Sequence, residues 1–169
     1  MNLNNALEVF TTVIDTNVPD VYELASGRSR GPENRIFSND LRQSGGTFPK
    51  VFLHIQNNDN SKLNHCGKTV HTNKEMISMN IIYFNKPRTK YYENPGLINE
   101  IIYENGGSNT SSDLNWRMRE LIRDALVVNS DDLTGVNNLK FGSFSETAQD
   151  DNLFMGIMPV TFNWINIIE

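Results

Sequence analysis

The residues best suited to metal or nucleophilic chemistry are three histidines and the one cysteine of the chain. His54, His65, Cys66 and His71 are zinc ligands by type, and four such side chains suffice for a tetrahedral site. Their spacing matches no compact zinc finger, and neighbours on a strand, such as His65 and Cys66, point to opposite faces. We therefore predict no bound metal and no cofactor, with these histidines exposed near a turn. A small metal-binding module, or an enzyme built on this hairpin, is the alternative from another class.

Nucleophilic and acid–base mechanisms find little support in the residue pattern. A cysteine nucleophile needs a histidine and an acid arranged around its thiolate, whereas Cys66 precedes a glycine in a predicted hairpin tip. The adjacent acids Asp131–Asp132 and Asp150–Asp151 fall in predicted turns, and general acid–base catalysis needs two carboxylates that face each other across a cleft. No phosphate-binding glycine loop and no H-E-x-x-H motif occurs. The sequence therefore predicts a protein that is not an enzyme.

Hydrophobic periodicity predicts an α+β fold in which two helices pack on a small, mostly antiparallel sheet. A C-terminal β-hairpin closes this predicted fold. The predicted elements, in chain order, are a helix over Leu3 to Ile14, a strand over Val51 to Gln56, a turn over Asn57 to Ser61, a strand over Glu75 to Phe84, an amphipathic helix over Asp113 to Leu126, and hairpin arms over Leu139 to Glu146 and Leu153 to Ile168.

Two long segments interrupt these elements, a basic loop over 25–50 and an insertion over 86–112. The loop carries five basic residues against two acidic ones, and Ile36 and Phe37 indicate a short paired stretch within it. Loops of this length are usually functional or disordered. Both a solvated loop and a loop that faces an anion or a partner stay open. The candidate contact residues of the loop are Arg28, Arg30, Arg35 and Arg42.

Size and composition narrow the classes of protein further. The length of 169 residues is typical of one domain, and we expect a single domain over 1–169. The formal net charge of -5 at pH 7 excludes a polycation that searches for nucleic acid. Neither an apolar stretch of membrane-spanning length nor a signal-peptide pattern is present, so no membrane partner is expected. A lone cysteine fits a reducing cytosol.

Five features of the chain occur in a characteristic order. They are the apolar stripe from Leu3 to Ile14, the Phe48-Pro49-Lys50-Val51 segment before the first strand, the strand over Glu75 to Phe84, the helix over Asp113 to Leu126, and the terminal strand from Val160 to Ile165. In this order of elements the chain resembles the tail-terminator and tail-completion proteins of tailed phages and related tail-like particles. The insertion over 86–112 is longer than a minimal fold of that family needs.

The resemblance implies a structural virion protein that forms a ring, commonly a hexamer, at the head-proximal end of the tail tube. Such a ring ends tube polymerisation and joins the tail to the neck or head. The implied partners are further copies of the chain, the tail tube protein, a neck or head-completion protein, and genomic DNA that passes through the lumen without sequence-specific binding. The implied location is the tail or neck of the virion, assembled in the host cytoplasm. Another head–tail connector, neck or baseplate subunit is the alternative.

Ring formation would require subunits to bury apolar surface against each other. For this role the predicted subunit-interface residues are Phe10, Val160, Phe162 and Trp164. The four arginines of the basic loop would contact the tube, the neck or the DNA in the lumen through non-specific electrostatics. Charge reversal at Arg28, Arg30 and Arg42 is therefore expected to leave the fold intact.

Overall fold

Two long helices lie on one face of a six-stranded sheet in the computed structural model of the chain, which describes residues 3–38, 48–62, 71–85, 111–150 and 153–168. This arrangement confirms the predicted α+β fold. The elements, in chain order, are helices α1 (Leu3–Asn17) and α2 (Val21–Ser26), a 3-10 turn (Pro32–Asn34), strands β1 (Ile36–Ser38), β2 (Lys50–Lys62) and β3 (His71–Asn85), helix α3 (Ser111–Val128), a second 3-10 turn (Ser130–Asp132), and strands β4 (Val136–Phe141), β5 (Ser145–Asp150) and β6 (Leu153–Ile168).

The sheet has the strand order β1-β2-β3-β6-β4, and β5 also pairs with β6. Of the six described strands, β1 alone runs parallel to its neighbour, with Ile36 opposite Val51. The paired stretch expected at Ile36 and Phe37 is thus confirmed. The predicted basic loop is in part regular structure, because α2 ends and the first 3-10 turn and β1 lie within it.

The turn predicted over Asn57 to Ser61 is wrong, because β2 continues to Lys62. Residues beyond Ile55 pair with β3, from Asn57 opposite Ser78 to Lys62 opposite Asn73, and a bulge after Ile55 absorbs one residue. Asparagine-rich sequence has a high turn propensity, but pairing with a long neighbouring strand overrides that local preference.

The hairpin arm predicted over Leu139 to Glu146 is two strands, β4 and β5, which both pair with β6. The interruption between them lies beside Pro159, whose carbonyl oxygen accepts a hydrogen bond from the Gly142 backbone N–H at 2.7 Å. The nitrogen and the carbonyl of a strand residue point to the same neighbouring strand. The nitrogen of Pro159, which carries no hydrogen, therefore faces the gap between β4 and β5. No hydrogen bond of the sheet is lost there, so a central strand tolerates Pro159.

Alternate residues of the two central strands form the core beneath the helices. On β6 these side chains include Met158, Val160 and Phe162, and the Phe162 ring lies 4.9 Å from the ring of Phe10 on α1. Helix α3 adds Leu114, Met118 and Ile122 to the same core. Burial of each large apolar side chain contributes about 1.5–3 kcal/mol, so this shared core is the main source of stability for the described elements.

Among the described residues, no helix has the length and apolar character needed to cross a membrane.

Close packing at Gly156 ties α3 to the sheet. A Cβ atom at Gly156 would lie 2.7 Å from the Phe144 ring and 3.2 Å from the Tyr83 ring. The Phe144 ring in turn meets the Trp116 ring of α3 edge-on at 4.5 Å. Only a residue without a side chain lets these rings approach the strand.

We predict that Gly156→Ala lowers the free energy of unfolding by about 1–3 kcal/mol, because the new methyl group overlaps Phe144. Urea denaturation measures the change. In the background of Phe144→Ala the same substitution is expected to cost less, because the overlapping ring is gone. An equal cost in both backgrounds would show that Phe144 is not the constraint.

Candidate functional site

Arg30, a predicted partner or lumen contact, forms a buried ion pair with Asp20. Its Nε lies 2.6 Å from Asp20 Oδ2, and its Nη2 lies 2.9 Å from Oδ1 and 2.7 Å from the Pro49 carbonyl oxygen. The two side chains are only 6% and 7% exposed. Asp20 also accepts the Tyr22 backbone N–H and so caps α2. Arg30 therefore joins α2 to the start of β2, and its assignment as a partner contact is wrong.

Arg35 is buried as well and caps the C-terminal end of α1. Its guanidinium donates hydrogen bonds of 2.9 Å to the carbonyl oxygens of Ile14 and Val18, and its Nε lies 3.6 Å from Asp15 Oδ1. A cation is favourable there because the last helical carbonyls carry partial negative charge. Burial lowers the pKa of Arg35 below its ordinary value. The assignment of Arg35 as a partner contact is wrong, since its donors are used inside the chain.

Of the other two arginines of the basic loop, Arg28 belongs to the described residues and Arg42 does not. Arg28 is exposed, and its assignment as a partner or lumen contact stays a prediction. Arg42 lies outside the described residues.

A polar cleft of about 560 Å³ opens beside the buried arginines. Asp15, Asp20 and Glu23 line it, and each of these carboxylates has a partner. The Arg30 backbone N–H donates to Glu23 Oε1 at 2.6 Å and holds the pKa of Glu23 below its ordinary value. The carboxylates that line this cleft thus bind guanidinium or backbone N–H groups of the chain itself.

The four residues predicted as a subunit interface lie inside the chain. Phe10, Val160, Phe162 and Trp164 are at most 7% exposed and belong to the core between the helices and the sheet. A side chain already covered by its own chain has no surface to give to a second subunit. The interface prediction is therefore wrong for these residues, whose alternation marks the core face of β6.

The strand register separates two of the four proposed metal ligands. His54 lies opposite Asn80, and His71 begins β3 nine residues before Asn80. At about 3.3 Å per residue, the backbones of His54 and His71 are about 30 Å apart, so one ion cannot bind both. His65 and Cys66 lie outside the described residues. Within the described ranges, no group of three or more metal-binding side chains occurs.

On the sheet face opposite the helices, aromatic rings surround a lysine. The Phe37 ring stacks on Phe52 at 5.0 Å, and Phe84 meets Phe52 edge-on at 5.2 Å. The Lys50 ammonium lies 4.6 Å from the Phe48 ring and 5.6 Å from the Phe37 ring, and the lysine is buried. Cation–π attraction of this kind contributes about 2 kcal/mol where the cation is desolvated. A third basic residue of the predicted loop is thus enclosed by the fold.

The same sheet face is partly exposed along β6 and at Met76 of β3, and we call this part the open sheet face; Asn80 and Ile82, on the same side of β3, are buried. Met76, at its end, is 47% exposed. The β6 side chains on this face are all partly exposed, and they are Met155, Ile157, Pro159, Thr161, Asn163 and Ile165. An antiparallel sheet that faces only water normally presents polar residues there. Four apolar side chains in this row therefore make the open sheet face a candidate for contact with another protein.

Sequence reasoning missed the acid that neutralises Arg30. Asp20 and Glu23 have the spacing of a helix-capping pair before an apolar run, which would have predicted α2. A helix starting at Asp20 would have placed an unpaired carboxylate near the basic loop. The pairing itself joins two residues that are ten positions apart, and the residue pattern contains no signal for it.

We predict that Arg30→Ala lowers the free energy of unfolding by about 3–5 kcal/mol, because it leaves the Asp20 carboxylate buried without its partner. Chemical denaturation measures the change, and Arg28→Ala is the matched control, with an expected change within about 0.5 kcal/mol. The double variant Asp20→Ala/Arg30→Ala is expected to lose less than the sum of the single variants. Equal stability of Arg30→Ala and Arg28→Ala would contradict a structural role for the pair.

Comparison with known proteins gives this chain no established family. No protein-family model matches it, and no curated protein matches it by sequence.

Proposed function

We propose that this chain is a structural assembly subunit that caps the head-proximal end of a phage tail tube as a ring and joins the tail to the neck. The observation that carries the proposal is the open sheet face, where Met76, Ile157 and Ile165 stand in place of polar residues. Contiguous exposed apolar surface of this kind marks sites of contact with another molecule. The chain thus has a surface suited to permanent contact.

The sheet also supplies the asymmetry that ring closure requires. Head-to-tail rings need two different surfaces on each subunit, one for each neighbour. In the described part of the sheet the outermost strands differ, with the three-residue β1 on one side and β4 with β5 on the other. In a ring, the β1 side of one subunit would therefore contact the β4 and β5 side of the next. Such a head-to-tail contact relates all subunits by rotation about one central axis.

The charge distribution fits a lumen through which DNA moves without being held. Arg30, Arg35 and Lys50 are buried, so much of the local positive charge of residues 25–50 is enclosed. The formal net charge of the whole chain is -5. A surface with little positive charge does not retain the phosphate backbone, since phosphate contacts supply non-specific affinity. The proposed lumen contact is accordingly restricted to exposed Arg28 among the described arginines of this segment.

A different connector, neck or baseplate subunit would use the same open sheet face. Co-assembly distinguishes these roles, because only a terminator limits the length of tubes grown from tail tube protein.

We expect tube protein polymerised in the presence of this chain to give short tubes that carry the chain at one end. Electron microscopy measures tube length and end labelling, and native mass spectrometry identifies the ring on the tube end. Unchanged tube length with no bound chain would remove the terminator role.

We predict that Met76→Glu and Ile165→Glu, singly and together, abolish ring formation and tube capping, because each places a charge on the open sheet face. Thr12→Glu, which adds a charge to the exposed side of α1, is the matched control and is expected to assemble normally. Circular dichroism verifies that all of these variants are folded. Normal capping by the double variant would show that the open sheet face is not the contact surface.

A further inference from the structure

Helix α3 has a row of exposed residues on the side away from its buried Leu114, Met118 and Ile122, and the first residue of the row, Trp116, also touches Phe144 at the edge of the core. Trp116, Glu120, Arg123 and Val127 are spaced by four, three and four positions, which keeps them on one side of a helix. Trp116 is 47% exposed and Val127 54%. The row spans eleven residues, or about 16 Å of helix. We call these four residues the outer row of α3.

Among the described residues, those that pack against α3 lie mainly on the side away from the outer row. The buried residues Leu114, Met118 and Ile122 hold the opposite side of α3 against the sheet. Helix α1, the other long helix of this layer, has exposed Glu8, Thr12 and Thr16. Among the described residues, three of the four exposed large hydrophobic side chains lie on α3, counting Val128, which is 79% exposed. Apolar exposure in the helical layer is therefore concentrated on this helix.

The order of side chains along the outer row is self-complementary. If a second α3 is laid antiparallel, with the two-fold axis between residues 121 and 122, Trp116 lies opposite Val127 and Glu120 lies opposite Arg123. Each pairing occurs twice, because a two-fold axis relates the two helices. Beside the row, Arg119 then faces Asp124. Apolar side chains meet at both ends of such a contact, and opposite charges meet at its centre.

We propose that α3 packs antiparallel against α3 of a second copy of this chain. The contact is isologous, with the outer rows of the two helices facing each other. The two helical layers then lie face to face, and helices that interlock with this spacing cross at about 20°.

Contacts within one chain already hold side chains of the outer row in position for a second copy. The Trp116 ring rests edge-on against Phe144 at 4.5 Å, and the Arg119 guanidinium lies 6.0 Å from the Trp116 ring. A side chain that is already held in place loses little conformational entropy on binding. Glu120 and Arg123 have neighbours on the helix surface, with Arg117 Nη1 at 3.0 Å from Glu120 Oε2 and Arg123 Nε at 3.6 Å from Asp124 Oδ1. Exposed ion pairs of this kind contribute little to stability, so little stability is lost when Glu120 and Arg123 pair with a second copy instead.

The contact of two helices is small, and interfaces below about 1,200 Å² are usually weak. We therefore expect a dimer with a dissociation constant of about 1–100 µM, populated at high protein concentration. The inference does not rest on the proposed ring. A two-fold contact cannot close a six-fold ring, so in a ring-forming protein it joins two rings and doubles the assembled mass.

Reversing the charge of residue 120 or of residue 123 tests the contact, because it determines which variants can dimerise with which. In a homodimer, Glu120→Arg places two arginines against each other at each central pairing, and Arg123→Glu places two acids together. Each single variant is expected to dimerise at least tenfold more weakly than the natural chain, about the effect of losing and reversing two surface pairs. A mixture of the two single variants restores opposite charges at both positions and is expected to form a one-to-one heterodimer. The double variant Glu120→Arg/Arg123→Glu restores the homodimer.

Sedimentation equilibrium over about 1–500 µM measures all four proteins and the mixture, a range that brackets the expected dissociation constant. Thr134→Glu, an exposed change away from α3, is the matched control and is expected to behave like the natural chain. Recovery in the mixture also shows that the single variants are folded. The proposal is overturned by a natural chain that shows no doubling of mass, by dimers that ignore both substitutions, or by weakened single variants that fail to pair with each other.

Discussion

The pairing of β3 with β6 is the constraint on which the rest of the structure depends. The two strands pair without a register shift from His71 opposite Ile168 to Asn85 opposite Phe154. This unbroken register decides which side chains face the helices and which form the open sheet face, since a slip by one residue would exchange the two sets. Both the core and the proposed assembly surface are therefore consequences of one ladder of backbone hydrogen bonds.

The elements that sequence predicted well are those whose signal is local. The stripe from Leu7 to Ile14 and the alternation from Ile77 to Tyr83 each mark the side that faces the core, and the structure confirms α1 and β3. The split of the predicted hairpin arm into β4 and β5 depends on Pro159 in a neighbouring strand, and the extension of β2 to Lys62 depends on β3. Such features require knowledge of the partner strand, which periodicity within one segment does not contain.

The candidate site was harder to predict, because the sequence does not show whether a charged side chain is directed to solvent or into the fold. Arg30 and Arg35 lie among glycine, serine and asparagine, a context typical of exposed loops, yet both satisfy groups inside the fold. The apolar alternation of β6 was visible, but one chain cannot show whether its neighbours are its own helices or a second subunit. The core face was consequently assigned to an interface, whereas the opposite side of the same strand is the partly exposed one.

The contrasting surroundings of the two tryptophans give the protein two separate fluorescent reporters. Trp164 is buried beside Gly135, so its emission follows the integrity of the core. Trp116 is half exposed on the outer row of α3, where a soluble quencher can reach its indole. Quenching of Trp116 therefore reports what covers the helical layer while Trp164 continues to report folding. In an unlabelled chain, a quenching titration can in this way distinguish loss of assembly from loss of structure.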